Sequence, residues 1–186
     1  APTEAERLSI IAVGGYGREE MAPFSDIDIL FLTPYKTTPW TENVIERMLY
    51  ILWDLKLQIG HATRSIDECI LLGGKDFTIR TSLLETRPIC GDKNLGDELT
   101  NRLWNELFQT STTEFITAKL KERATRHKKH GENRYLLEPN IKEGKGGLRD
   151  LQSLFWIAKY IHHVEKPVEL IQKGVFNDQE YTKFVN

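Results

Sequence analysis

The stretch LSIIAVGGYGREEMAPFSDIDILFLT, residues 8–33, decides the fold of this chain. It holds an apolar run, two adjacent glycines, a short polar segment and a second apolar run that opens on two aspartates. Short apolar runs bounded by glycine and polar residues are typical of buried β-strands. We therefore predict one strand over residues 8–13 and a second that begins near Asp26, joined by a glycine-rich turn.

Asp26 and Asp28 alternate with isoleucines at the start of the second predicted strand. Strand side chains alternate between faces, so both carboxylates should lie on one face, about 7 Å apart along the strand. Ile27 and Ile29 should then pack on the other face. Two neighbouring carboxylates repel each other unless a cation joins them, and oxygen ligands of this kind suit Mg²⁺. The pair therefore predicts a magnesium site.

The glycines Gly14, Gly15 and Gly17 lie between the two predicted strands. Because glycine has no Cβ, the backbone can turn tightly there and approach a ligand closely. We expect residues 18–20 to open a short helix that stops before Pro23. Free backbone N–H groups at such a helix start form an anion site. Phosphate would bind at one end of this motif and the metal at the other.

The composition of the 186 residues is that of an ordinary globular protein, with 40% hydrophobic and 28% charged residues. A net charge of −2 gives no general electrostatic reason to expect nucleic-acid binding. No signal peptide and no apolar run of membrane length occurs in the sequence, so we expect a cytoplasmic protein without a membrane partner. Cys69 and Cys90 are expected to be reduced thiols in the core.

Helices and two further strands are predicted downstream of this motif. Apolar residues at helical spacing over 44–55 follow Thr41 as a plausible N-cap. A third strand is predicted over 56–64, and a capping box opens a helix at Ser65 that a glycine pair at 73–74 ends. Residues 76–84 are ambiguous between helix and strand, whereas residues 86–90 are predicted to be extended.

The second half of the chain is predicted to be helical. The helical pattern over 95–130 is interrupted by a Thr/Ser cluster at 110–113. A glycine loop at 144–147 then precedes a helix, for which Asp150 is the expected N-cap. We accordingly predict a first domain over 1–94 and a helical domain over 95–186.

The segment GGYGREEMAPFSDIDILFL, with ten residues between Gly15 and Asp26, resembles the nucleotidyltransferase superfamily of the DNA polymerase β type. More closely, it resembles the N-terminal domain of the bacterial PII uridylyltransferase/uridylyl-removing family. Three further blocks resemble the same family: LWDLKLQIGHATRSIDEC, SLLETRPICGD and EPNIKEGKGGLRDLQSLFWIAK. The resemblance implies an α+β fold, in which a small mixed β-sheet flanked by helices is followed by a helical segment.

The resemblance also implies an activity, namely transfer of UMP from UTP to a tyrosine of the PII nitrogen-regulatory protein with release of pyrophosphate. Asp26 and Asp28 would then hold two Mg²⁺ ions. The residues implied in nucleotide binding are Gly14, Gly15, Gly17, Arg18 and Ser25. The family's full-length enzymes add an HD-type hydrolase and ACT domains. This chain has no His-Asp dipeptide, so we expect it to be a transferase fragment of a longer protein.

A third carboxylate on a neighbouring strand is common in the wider superfamily, but the third predicted strand offers none. Glu85 and Asp76 are the candidates, and we favour Glu85 as a catalytic residue because it borders an extended segment. Two other interpretations stay open, in which Asp76 caps a helix and Glu85 pairs with Arg87. Arg18 is similarly open between contact with the nucleotide and a helix-surface ion pair.

Two alternative functions are also open. The aspartates and glycines do not specify the base, so the enzyme could use another nucleotide or another acceptor. A third hypothesis is a module that only binds a nucleotide or a partner. The paired carboxylates argue against such a silent module, because a binding-only site gains little from placing two acids together.

Overall fold

Four strands form a single mixed sheet in the order β3-β2-β1-β4. They are β1 (Ser9–Ala12), β2 (Ile27–Thr33), β3 (Ile59–Ser65) and β4 (Arg87–Gly91). Strand β1 runs antiparallel to β2 and β4, whereas β2 and β3 are parallel. The computed structural model describes residues 3–21, 25–131, 140–164 and 167–185. The strands confirm the predicted α+β class with its small mixed sheet.

Helices surround the sheet and make up the second half of the chain. Those around the sheet are α1 (Gly14–Gly17), α2 (Pro39–Asp54), α3 (Ile66–Lys75), α4 (Phe77–Leu84) and α5 (Lys93–Arg102), which a π-helical segment (Leu103–Phe108) continues. The later ones are α6 (Thr112–Gly131), α7 (Leu148–His162), α8 (Glu169–Gln172) and α9 (Asp178–Val185). None of these helices, in the part of the chain described, is long and apolar enough to cross a membrane.

One face of the sheet packs against α2. Ile10, Ile29 and Phe31 from the strands meet Ile45 and Leu49 from the helix in a buried cluster. Ile27 also packs against this cluster, so the prediction that the two isoleucines share a face is confirmed. Because strand side chains alternate, Asp28 between them points to the opposite face of the sheet.

The helix ends predicted near the sheet need two corrections. Thr38 rather than Thr41 is the N-cap of α2, since its side chain accepts a hydrogen bond from the Thr41 amide. The Ser65 capping box opens α3 as predicted, but α3 continues through its glycine pair to Lys75. A Cβ at Gly73 would lie 2.9 Å from a Leu107 methyl group, so this glycine provides packing space and not a helix end.

The two cysteines differ in exposure, which corrects the prediction that both are core thiols. Cys69 is buried in α3, and burial raises the pKa of its thiol to about 12. Cys90 is exposed because β4 is an edge strand of the sheet.

The chain divides into two compact units, Ala1–Thr110 and Ser111–Asn186. Helix α5 belongs to the first unit and contacts β1, β2 and β4. The predicted domain boundary after residue 94 lies inside this helix, and as a boundary between functional domains it stays a prediction.

Helices α6 and α7 form the centre of the second unit. Phe115 of α6 stacks on Tyr160 of α7 with ring centroids 4.2 Å apart, and the Tyr160 hydroxyl lies 2.7 Å from the Ser111 hydroxyl. Asp150 is not the N-cap of α7, because the helix begins at Leu148 with Gly147 as its cap. Asp150 lies in the first turn instead.

Candidate active site

Asp28 lies near the start of β2, directly opposite Gly60 of β3 in the register of the parallel pair. A Cβ at Gly60 would lie only 2.3 Å from Oδ1 of Asp28, so the carboxylate occupies the space that a side chain at this position would fill. The predicted third strand therefore contributes room for the Asp28 carboxylate. A glycine inside a strand is the sequence signal for such a close approach, and the sequence analysis did not use it.

Asp26 immediately precedes β2 and is exposed, whereas Asp28 is half-buried. Burial and the negative charge of Asp26 raise the pKa of Asp28 above its ordinary value of 3.8. The effect of one carboxylate on the other is that expected of neighbouring like charges. A bound cation would offset both the repulsion and the burial, and two carboxylates are hard oxygen donors. These residues therefore fit a hard divalent cation.

The glycine turn is a helix in its own right, which corrects the expected helix start. Helix α1 begins at Gly14 directly after Val13, and a left-handed Glu19 with φ of 65° follows its end. Gly14 itself has φ of 59°, a conformation that a Cβ disfavours. A Cβ at Gly14 would lie 3.3 Å from Oδ2 of Asp28. The structure thus brings the first glycine of the motif against the carboxylate of Asp28.

Gly17 has a different environment from Gly14. A Cβ at Gly17 would lie 1.7 Å from the carbonyl oxygen of Glu85, so the missing side chain lets α1 pack directly on the backbone after α4. Protein backbone therefore occupies the Cβ side of this glycine, and its role in nucleotide binding stays a prediction.

Arg18 carries the ion pair that the sequence analysis left open. Its Nε donates to Glu20 at 3.0 Å, and its Nη1 donates to the buried carboxylate of Glu85. The Arg18 side chain is only 12% exposed, and its Nη2 lies 3.8 Å from the Cβ position of Gly15. The guanidinium therefore lies beside the glycine turn while it is paired with glutamate.

The two candidates for a third carboxylate have other neighbours. The Glu85 side chain is 2% exposed and pairs with Arg18. Asp76 caps α4 by accepting hydrogen bonds from the amides of Thr78 and Ile79 at 2.6 and 3.1 Å, which confirms the capping interpretation. Within the described ranges, no group of three or more His, Cys, Asp or Glu side chains is arranged to hold a metal ion. The structure therefore does not join either acid to the aspartate pair.

Two further residues lie next to the motif: Arg87 contacts α1, and Ser25 precedes Asp26. Arg87, which one open interpretation paired with Glu85, donates to the carbonyl oxygen of Tyr16 at 2.9 Å and forms an ion pair with Glu19 at 3.4 Å. No spacing in the sequence indicated this contact with α1. Ser25 is exposed and directly precedes Asp26, and its role in nucleotide binding stays a prediction.

Comparison with known proteins assigns the two halves of the chain. Residues 3–90 match the family model described as nucleotidyltransferase domain, and residues 114–186 match the one described as GlnD PII-uridylyltransferase. Over 184 residues, 99% of the chain, it is 59% identical to the bifunctional uridylyltransferase/uridylyl-removing enzyme of Ruegeria pomeroyi. The chain belongs to the PII-uridylyltransferase family.

Other members of the PII-uridylyltransferase family give the same picture. Proteins of the same name from Cereibacter sphaeroides and Caulobacter vibrioides are 57% and 54% identical over 98% and 99% of the chain. The chain spans 20% of the length of each of these relatives. The nucleotidyltransferase match covers the whole of α1 and β2, so the glycine motif and both aspartates lie within it.

Proposed function

We propose that this chain carries the uridylyltransferase site of its family, acting in the cytoplasm on UTP as donor and on a tyrosine of PII as acceptor. The observation that supports this proposal most is the close approach of Gly14 to Asp28. A Cβ on Gly14 would lie 3.3 Å from Oδ2 of Asp28. Triphosphate bound along the glycine turn would lie next to the two carboxylates. Donor phosphates and metal ligands are needed together in phosphoryl transfer.

Asp26 and Asp28 are the residues that would hold Mg²⁺. When bound, the metal would neutralise charge on the triphosphate and lower the pKa of the attacking hydroxyl. The Gly14–Gly15 turn would orient the phosphates through its backbone amides, with the Arg18 guanidinium beside it and Ser25 next to Asp26. The tyrosine hydroxyl would lose its proton to solvent and its oxygen would attack the α-phosphorus. The bond from this phosphorus to the oxygen shared with the β-phosphate would break, and pyrophosphate would leave with the electron pair. The protein contributes mainly positioning and charge stabilisation.

The test follows a labelled α-phosphate in the full-length protein. The protein is incubated with α-labelled UTP or ATP, Mg²⁺ and PII, and label on PII is measured. We expect transfer from UTP, and Asp26→Asn or Asp28→Asn should reduce its rate by more than about 100-fold because metal-bound charge is lost. Asp54→Asn, which changes an exposed aspartate at the end of α2, is the matched control and should retain the rate.

Two results would contradict the proposal. Labelling of PII from ATP alone would indicate a nucleotidyltransferase with another donor. Tight UTP binding by the full-length protein without any transfer would indicate a module that only binds nucleotide.

A further inference from the structure

The residues Glu85–Arg87, from the end of α4 to the first residue of β4, make three separate contacts with α1 and with Arg18 directly after it, and we call them the clamp segment. The carbonyl oxygen of Glu85 lies 1.7 Å from the position that a Cβ on Gly17 would take. The Glu85 carboxylate pairs with Arg18, which directly follows α1. Arg87 reaches the carbonyl oxygen of Tyr16 at 2.9 Å, and its guanidinium lies over the Tyr16 ring, 5.3 Å from the centroid.

These contacts matter because α1 has little stability of its own. It contains four residues, three of them glycines, and its N-cap residue Val13 makes no capping hydrogen bond through its side chain. Glycine loses more backbone entropy on ordering than any other residue, and isolated short helices are unstable in water. An ordered α1 therefore depends on contacts from outside its own sequence.

We infer that Glu85 is a positioning residue, which acts through Arg18 to hold α1 in place against Asp28, and that it is not a third metal ligand. The inference rests on the proposed function, since α1 is the segment that would orient the triphosphate. The Glu85 carboxylate is 2% exposed and its partner Arg18 is 12% exposed, and breaking such a buried ion pair is costly. Arg87 supports the same segment through the carbonyl oxygen and the ring of Tyr16.

A positioning role and a metal-ligand role predict different kinetics. If the clamp segment is weakened, α1 must be ordered when UTP binds, and this ordering weakens substrate binding. The expected result is a rise in KM for UTP that exceeds the fall in kcat. Loss of a metal ligand would instead lower kcat most and raise the Mg²⁺ concentration needed for half-maximal rate.

The experiment compares Glu85→Gln and Arg87→Gln with Glu106→Gln in the full-length protein. Glu106→Gln makes the same type of change in an exposed pair with Arg102, at 2.6 Å, and serves as the control. We expect KM for UTP to rise about tenfold in Glu85→Gln and several-fold in Arg87→Gln, with kcat changed less than KM and the Mg²⁺ dependence unchanged. Arg87 is 34% exposed, so its variant provides a test that does not depend on removing a buried charge.

A second measurement separates this inference from the proposed function. Hydrogen exchange in the peptide covering residues 9–20 should be faster in both clamp variants than in the control, whether or not the wild type labels PII. The inference is overturned if the fall in kcat exceeds the rise in KM, if the Mg²⁺ requirement increases, or if exchange and kinetics in both variants match those of Glu106→Gln. Failure of the wild type to label PII would count against the proposed function alone.

Discussion

Gly60 faces Asp28 across the parallel pair of β2 and β3, and a Cβ on this glycine would lie 2.3 Å from Oδ1 of the aspartate. The atom that would be displaced is the end of a side chain, which can rotate away with little effect on the backbone. A methyl group at this position would therefore move the carboxylate while leaving the sheet intact.

The Gly60→Ala substitution should accordingly reduce activity more than stability. We expect kcat/KM for uridylyl transfer to fall at least about tenfold, because a small displacement of a metal ligand affects the reacting geometry directly. The melting temperature should change little. Gly74→Ala is the matched control, since a Cβ there meets nothing within 4 Å, and it should retain activity. A large loss of stability with unchanged activity per folded molecule would contradict the assigned role of Gly60.

The Gly17→Ala substitution should, in contrast, lower stability. Its Cβ would lie 1.7 Å from the backbone carbonyl oxygen of Glu85, which cannot move without shifting the chain after α4. Overpacking of this kind typically costs about 1–3 kcal/mol, so the free energy of unfolding should fall by that amount. Denaturant unfolding measures it, again against Gly74→Ala. Wild-type stability of the Gly17 variant would show that α1 does not pack on Glu85.

The charge of Asp28 should make the protein without metal less stable. Burial and the charge of Asp26 raise the folded-state pKa of Asp28 above its unfolded value. The stability contributed by the protonated carboxyl is therefore fully present below the unfolded pKa. That contribution to stability is lost as pH rises through the folded pKa. At pH 7 in EDTA, Asp28→Asn should therefore have a higher melting temperature than the wild type.

Mg²⁺ should then raise the melting temperature of the wild type but not that of Asp28→Asn, because binding to the folded state is stabilising. Thermal denaturation in EDTA and in excess Mg²⁺ measures both effects. Equal stabilisation of wild type and variant by Mg²⁺ would place the cation elsewhere in the protein.

Asp150 makes a pH-dependent contribution to the stability of the second unit. Burial disfavours its charge, but hydrogen bonds from the Gly146 amide, Arg126 and His127 outweigh this and lower its pKa from 3.8 to about 2. A lowered carboxylate pKa contributes stability that is present above the unfolded pKa. This stability is lost as pH falls through the folded value.

Asp150→Asn should therefore lower the free energy of unfolding of the second unit by roughly 2 kcal/mol at pH 7. The difference from wild type should shrink as pH falls from about 4 to about 2. Unfolding curves over this range, with Asp178→Asn as an exposed control in α9, measure it. A difference that does not change with pH would contradict the assignment.

Local patterns predicted much of the first unit because their physical causes lie close together in sequence. The alternation of Asp26 and Asp28 with apolar residues predicted β2, and the Ser65 capping box predicted the start of α3, where both of its hydrogen bonds are present. The sequence also indicated that Asp76 could cap a helix, because the amides that it accepts from are only two and three residues away.

Long-range contacts were beyond sequence reasoning. Arg18 and Glu85 are 67 residues apart, and Arg87 and Tyr16 are 71 apart, so no spacing rule connects them. The start of α1 was missed for a related reason. A helix of glycines has no propensity signal of its own, and its backbone is held by contacts that only the folded chain provides.

The central claim is that Asp26 and Asp28 together hold a divalent cation beside the glycine turn. Its most direct test is a crystal structure of the protein with Mn²⁺, which binds the same oxygen ligands as Mg²⁺, and a UTP analogue that cannot be cleaved between the α- and β-phosphates. We expect an anomalous peak within bonding distance of both carboxylates and of the triphosphate, with the phosphates along Gly14 and Gly15. A triphosphate bound elsewhere, or a metal peak that touches neither aspartate, would contradict the account.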